Sequence, residues 1–169
     1  MNTKRLVKIA LAAALTAVCA WITIKLPAIS FTMQIFAVYL SALLLGPLDG
    51  LIATAVYLLL GAAGLPVFSG FGAGLGTLAG PTGGYLVGFL LIPVCLFLHA
   101  RFNKPWSLVL SCVLGLAACY AFGTAWFVIL TGKGLVPALT ACVVPFIIPD
   151  AVKITLAWLI STRVKKYVE

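Results

Sequence analysis

An all-α integral membrane protein, a bundle of six transmembrane helices with a Gly/Pro-rich loop between the third and the fourth, is the fold this sequence predicts. Three observations carry the prediction. Of 169 residues, 64% are hydrophobic and only 8% charged, against roughly half apolar and a quarter charged in a soluble domain, so there is too little charge to cover a water-facing surface. From Gly50 to Leu98 there is no Asp, Glu, Lys or Arg, and about 20 helical residues suffice to cross a hydrocarbon core. The charges that do occur sit at the ends of apolar runs.

The elements follow in order. The first apolar run, Ile9 to Ile24, has basic residues before it like a signal peptide, but hydrophobicity continues to the end of the chain and marks a permanent first helix, Leu6 to Ile24. Pro27 lies in the connection Lys25 to Met33. The second helix, Gln34 to Leu45, ends at the turn Gly46-Pro47-Leu48-Asp49-Gly50, and the third covers Leu51 to Ala63. Both are short for a full crossing, which leaves room for a cavity. Gly64 to Gly84 carries eight glycines and two prolines in twenty-one residues and is not a regular helix. Irregular backbone at membrane depth is tolerated where it is buried in protein or lines a cavity, so this loop is a candidate wall of a binding site. The fourth helix runs from Tyr85 to Ala100, the fifth from Ser107 to Leu130, and the last from Ala138 to Val164, with Pro145 and Pro149 as its kink or restart points. No internal repeat is evident, and the whole of 1–169 reads as a single transmembrane domain.

Charge placement sets the orientation. A net charge of +8 would point to nucleic acid in a soluble protein. Here Lys4, Arg5, Lys8, Arg101, Lys104, Arg163, Lys165 and Lys166 fall on one side of a six-span topology and Lys25 and Lys133 on the other. That bias places both termini in the cytoplasm, with the bilayer and not nucleic acid as the surrounding partner.

Asp150 and Lys153 are the ionisable residues inside an otherwise apolar span, and three residues apart they share a helix face. An intramembrane charge costs at least about 2.5 kcal/mol and marks a cavity or a partner; the bland alternative is an ion pair that only neutralises itself. A restart at Pro149 would also put Asp150 in a first turn, where backbone N–H groups favour a carboxylate. A fixed anion beside a fixed cation suits a ligand with N–H donors at one point and a carboxylate at another. Phe68, Phe71 and Tyr85 flank the loop and offer stacking surfaces, while Gly83 and Gly84 let the backbone approach a ligand. In the first helix Ala10 and Ala14, with Ala13, Ala17 and Ala20, form small-residue faces that either receive another protein's helix or pack inside the bundle.

Five cysteines without a C-x-x-C pair read as small hydrophobes rather than a metal site. There is no H-E-x-x-H or G-x-S-x-G, and Thr131-Gly132-Lys133-Gly134 lacks the first glycine and the Ser/Thr of a P-loop. An enzyme using Asp150 as acid or base lacks a second catalytic group, and any ATP-driven function needs a second protein.

The combined order Gly64-Leu65-Pro66-Val67-Phe68, then Gly80-Pro81-Thr82-Gly83-Gly84-Tyr85-Leu86, then Pro149-Asp150 and Lys153 resembles the BioY family, the biotin-specific substrate-binding subunits of energy-coupling factor (ECF) transporters. The resemblance covers nearly the whole chain. It implies a non-enzymatic six-helix subunit, with biotin as transported ligand and no cofactor, working with a transmembrane coupling protein and two ATPases. It further implies that Asp150 receives the ureido ring, that Lys153 lies at the polar end of the site, and that Ala10 and Ala14 contact the coupling protein. Relatives can carry a polar anchor in the glycine loop; between Ser69 and Gly76 only Ser69 offers one. The rival reading is a stand-alone vitamin channel or facilitator.

Overall fold

The computed structural model describes residues 2–24 and 30–168, so Lys25 lies outside the described residues. Helix α1, Thr3–Trp21, is capped by Asn2, whose side chain accepts from the Lys4 N–H. It stops short of the expected Ile24. The Thr23 hydroxyl donates to the Ala20 carbonyl left over at the helix end, and β-branched Thr23 and Ile24 form strand β1, paired antiparallel with β2, Phe31–Thr32. The Lys25 to Met33 connection thus contains one arm of a small hairpin.

Helices α2, Gln34–Leu45, and α3, Pro47–Ala62, follow. The five-residue turn expected between them shrinks to Gly46, whose φ of 94° a side chain would resist, because Pro47 starts α3 with its preset φ. The hairpin closes tightly where Gly50 meets the Ala42 backbone, a gap with no room for a Cβ. At about 1.5 Å per residue both helices fall short of a hydrocarbon core, as their apolar runs predict.

The glycine segment is irregular up to a point. A 3₁₀ turn at Ser69–Phe71 and a six-residue helix α4, Gly74–Ala79, interrupt it, and helix α5, Gly83–Gly88, starts two residues before the expected Tyr85. Helix α6, Leu91–Phe102, continues α5 after a break at Phe89 and Leu90. Pro93 explains the break, since it has no N–H for the Phe89 carbonyl and its ring crowds that oxygen. Helix α7 covers Pro105–Thr131. The last rod consists of α8, Leu135–Cys142, and α9, Val144–Val168. Its restart lies at Val143, not at Pro149: Pro145 withdraws the donor for the Ala141 carbonyl, whereas Pro149 is carried inside α9. Asp150 therefore sits in the second turn of α9, and the free N–H groups of a first turn are not its stabilisers.

Gly83–Phe102, Pro105–Thr131 and Leu135–Lys166 are long and apolar enough to cross a membrane. Among the described residues they and α1, α2 and α3 make six helical rods, with the short α4 beside them. Helix α2 lies among α1, α3, α6 and α9, and Val38, Tyr39, Ile92 and Cys119 around it are completely buried. Outward faces are apolar as well, with Ile129 83% and Ile148 77% exposed, surfaces that suit lipid and not water. Helices α5 and α7 interlock through two glycines: Gly123 lies under the Tyr85 ring and Gly84 under the Trp126 side chain, each without space for a Cβ. All five cysteines are free thiols and four are buried.

Candidate ligand-binding site

The site is assembled on one carboxylate. Asp150 is fully buried and Lys153 3% exposed, and their spacing on α9 brings the ammonium to 2.7 Å from Oδ1. The second oxygen is also occupied, because the Tyr120 hydroxyl on α7 donates to Oδ2 at 2.6 Å. Lys153 in turn donates to the Thr32 carbonyl at 2.7 Å and lies 3.8 Å from the Phe31 ring centroid. The β1–β2 hairpin thus turns a backbone acceptor and an aromatic face onto one cation.

The network continues away from the pair. Thr32 Oγ1 donates to Gln34 Oε1 at 2.9 Å, Gln34 Nε2 donates to the Tyr57 hydroxyl, and Tyr57 donates to the Val67 carbonyl at 3.1 Å. Hydrogen bonds therefore run from α9 through β2, α2 and α3 to the start of the glycine segment. Among the described residues no buried side-chain polar atom lacks a partner, as a polar network at membrane depth requires.

A cavity of about 60 Å³ opens beside the pair. Ser30, Gln34, Ser69 and Thr82 bring polar groups to it, and Leu86, Phe89 and Phe146 an apolar flank. The short α2 makes the space, since its N-terminal Gln34 and Ile35 end at the cavity wall. The volume is well below the roughly 300 Å³ of a small-molecule pocket, so a bicyclic ligand fits only if the lining moves.

Of the residues singled out from sequence, Asp150, Lys153 and Tyr85 line the cavity, as does Ser69. Phe68, Gly83 and Gly84 are not in its lining. Phe68 is fully buried against Gly61 and edge-on to Tyr57, with 5.6 Å between ring centroids. Gly83 abuts the Leu78 carbonyl. These three hold the wall from behind. Phe71 stacks on Trp21 at 5.3 Å, away from the cavity. Tyr120, Thr32 and Gln34 are the residues sequence reading missed: Tyr120 lies in a long apolar run with no local signal, and Thr32 acts through its backbone carbonyl. Gln34, polar at the head of an apolar helix, was the one visible sign.

On α1, Ala13, Ala17 and Ala20 face the bundle core, while Ala10 and Ala14 are exposed on the outer face. Packing inside the bundle thus accounts for Ala13, Ala17 and Ala20 and leaves Ala10 and Ala14 on an adjacent, exposed stripe of the helix. Among the described residues no group of His, Cys, Asp and Glu is placed to hold a metal ion.

The model of the BioY family matches residues 1–169. A biotin transporter BioY of Thermotoga maritima is 42% identical over 166 residues, covering 96% of each chain. A probable biotin transporter BioY of Pyrococcus horikoshii is 36% identical over 165 residues, covering 98% of each. Among solved structures, the S-component for biotin from an ECF-type ABC transporter superposes with a TM-score of 0.87 at 26% identity, covering 98% of this chain and 95% of that one.

Proposed function

The chain belongs to the BioY family, and on that premise we propose that it captures biotin in the Asp150–Lys153 cavity for uptake, as the substrate-binding subunit of an ECF-type transporter. The observation that carries the site is the isolated, fully buried ion pair with its two extra partners, Tyr120 and Thr32. A charge at this depth is costly, and four groups from three elements converge to keep it. The function needs no chemistry on the ligand, and the relatives are named as transporters.

In this reading the Asp150 carboxylate accepts the N–H donors of the ureido ring, and Tyr120 holds the carboxylate in place. Lys153 exchanges the Thr32 carbonyl for an acceptor on the ligand. Tyr85, Leu86, Phe89 and Phe146 flank the bicyclic ring and chain, with Ser69 and Thr82 as the polar side chains that the glycine segment contributes. Phe68, Gly83 and Gly84 act by fixing that wall. The hairpin that bears Phe31 and Thr32 yields as biotin arrives, which enlarges the cavity.

The cavity lies at the end of the bundle opposite Lys4, Lys8 and Lys165. With those cations in the cytoplasm, both termini are cytoplasmic and the site faces outward. The whole chain works as one substrate-binding domain. The exposed Ala10 and Ala14 face a transmembrane coupling protein driven by two ATPases, which supply the energy this chain has no motif to harvest.

The test is calorimetric titration of the purified protein with biotin and a panel of other vitamins, alongside Asp150→Asn. Saturable biotin binding, weakened at least about tenfold by the substitution, is expected from loss of a charged hydrogen-bond acceptor. Equal affinity of the variant would remove Asp150 from the site. Biotin flux in liposomes containing this chain alone, without nucleotide, would favour a stand-alone facilitator instead.

A further inference from the structure

At the opposite end of the bundle, a second cavity of about 310 Å³ is lined by four cations, Lys4, Arg5 and Lys8 of α1 and Lys165 of α9. The one carboxylate in its wall, Asp49 at the start of α3, is engaged by Arg5 through a fork of contacts at 2.6, 2.8 and 3.0 Å. Four positive charges against one negative leave a net of three. Among the described residues no carboxylate pairs with Lys4, Lys8 or Lys165.

This cavity does not end in water on all sides. Lys8, Leu44 and Leu45 also belong to a neighbouring groove of about 250 Å³. The groove runs between α1 and α2 along Leu11, Ala12, Leu15 and Leu40, a distance of about 10 Å along α1. Apart from Lys8 at its mouth and Ser41, whose hydroxyl is turned onto the Ala37 carbonyl, its wall is hydrocarbon. A cationic basin therefore opens into an apolar channel that points toward the membrane interior.

We propose that this composite surface binds an anionic phospholipid, with the phosphate in the Lys4, Lys8 and Lys165 basin and one acyl chain in the α1–α2 groove. Charge and shape select this occupant together. Basic side chains at a bilayer edge attract anionic headgroups, and the adjoining groove rewards a ligand that carries a hydrocarbon tail. A free phosphate would use only the basin, and a zwitterionic lipid would place its own cation among the lysines. The lipid would tie the N-terminal turns of α1 to the C-terminal turns of α9, ends that no ion pair joins among the described residues. Biotin capture at the far end of the bundle is independent of it.

The test uses the full-length protein, purified in detergent and titrated with dioleoyl phosphatidylglycerol, dioleoyl phosphatidylcholine or inorganic phosphate, with bound lipid counted by native mass spectrometry. The wild type is expected to retain phosphatidylglycerol at least about fivefold over phosphatidylcholine. The exposed triple variant Lys4→Ala, Lys8→Ala, Lys165→Ala should lose that preference while biotin affinity stays within about twofold. Leu15→Trp, which fills the groove, should lower retention with all the cations in place. Equal retention of the two lipids, or an unchanged preference in the triple variant, would overturn the proposal. So would displacement of phosphatidylglycerol by millimolar phosphate, which would mark a free-anion site. Loss of co-purification with the coupling module at unchanged lipid binding would assign the basin to an acidic protein partner instead.

Discussion

The hydroxyl of Tyr120 on α7 donates to Asp150 Oδ2 on α9 at 2.6 Å, while Lys153 occupies Oδ1 at 2.7 Å. The carboxylate is thereby clamped from two helices. Tyr120→Phe removes one clamp without changing the shape of the site, and hydrogen bonds to charged groups contribute about 1.5–3 kcal/mol. Biotin affinity is expected to fall about tenfold or more, measured by calorimetry, with far-UV circular dichroism unchanged. An affinity equal to wild type would make Tyr120 a packing residue only.

Asp150 and Lys153 neutralise each other, so their single losses are not independent. Asp150→Asn leaves a buried ammonium and Lys153→Met a buried carboxylate, each uncompensated, whereas the double variant leaves neither. In a double-mutant cycle of thermal stability the double variant should be less destabilised than the sum of the singles by more than about 1 kcal/mol. Biotin binding should be lost in all three. Additive stabilities would show that water or lipid headgroups reach the pair.

Gly84 has the Trp126 side chain where a Cβ would be. Gly84→Val should therefore act on packing, costing about 1–3 kcal/mol by overfilling the α5–α7 contact. A fall in the melting temperature of the detergent-solubilised protein is expected, and biotin should restore part of it by binding the folded state. A variant with wild-type melting temperature but no binding would place Gly84 against the ligand itself.

Ala10 and Ala14 lie one turn apart on the exposed face of α1, and close packing of small residues is a main source of helix association in lipid. Ala10→Trp with Ala14→Trp should hold biotin affinity within about threefold yet abolish co-purification with the coupling module and ATP-dependent uptake. Retained co-purification would move the partner surface to another helix.

The Arg5–Asp49 contact is the other ion pair in the described structure, but its Arg5 side chain is 40% exposed. Solvent screens an exposed pair, and ordering its long side chain offsets much of the attraction. Arg5→Ala should shift the melting temperature only slightly and leave biotin affinity unchanged.

Much of this was legible before any coordinates. The apolar runs and glycine segment define the helices because a bilayer leaves backbone few options, and the ion pair stands out because charge is expensive there. What stayed hidden depends on tertiary approach. The α5–α6 break needs Pro93 to be read with Phe89, and the early end of α1 needs a strand partner at Phe31 and Thr32. Phe68 looks like a stacking residue by its place beside the glycines, yet Gly61 on α3 opens a slot that draws it into the core. Tyr120 is one aromatic in an apolar helix until α9 packs beside it.

Because Asp150 and Lys153 leave the same face of a single helix, their contact requires no neighbour. A coiled α9 alone places the two groups within reach of each other, whether or not the bundle has assembled. A lone carboxylate or ammonium at the centre of a nascent span costs about 2.5–3.5 kcal/mol on translocon-based scales, enough to hold a marginal segment at the membrane surface. Self-neutralisation lowers that barrier, so the two residues proposed to receive the ligand would also favour integration of the segment that carries them. Moving Lys153 to another helix with the mature geometry preserved would keep the pocket and slow the biogenesis of the protein that carries it.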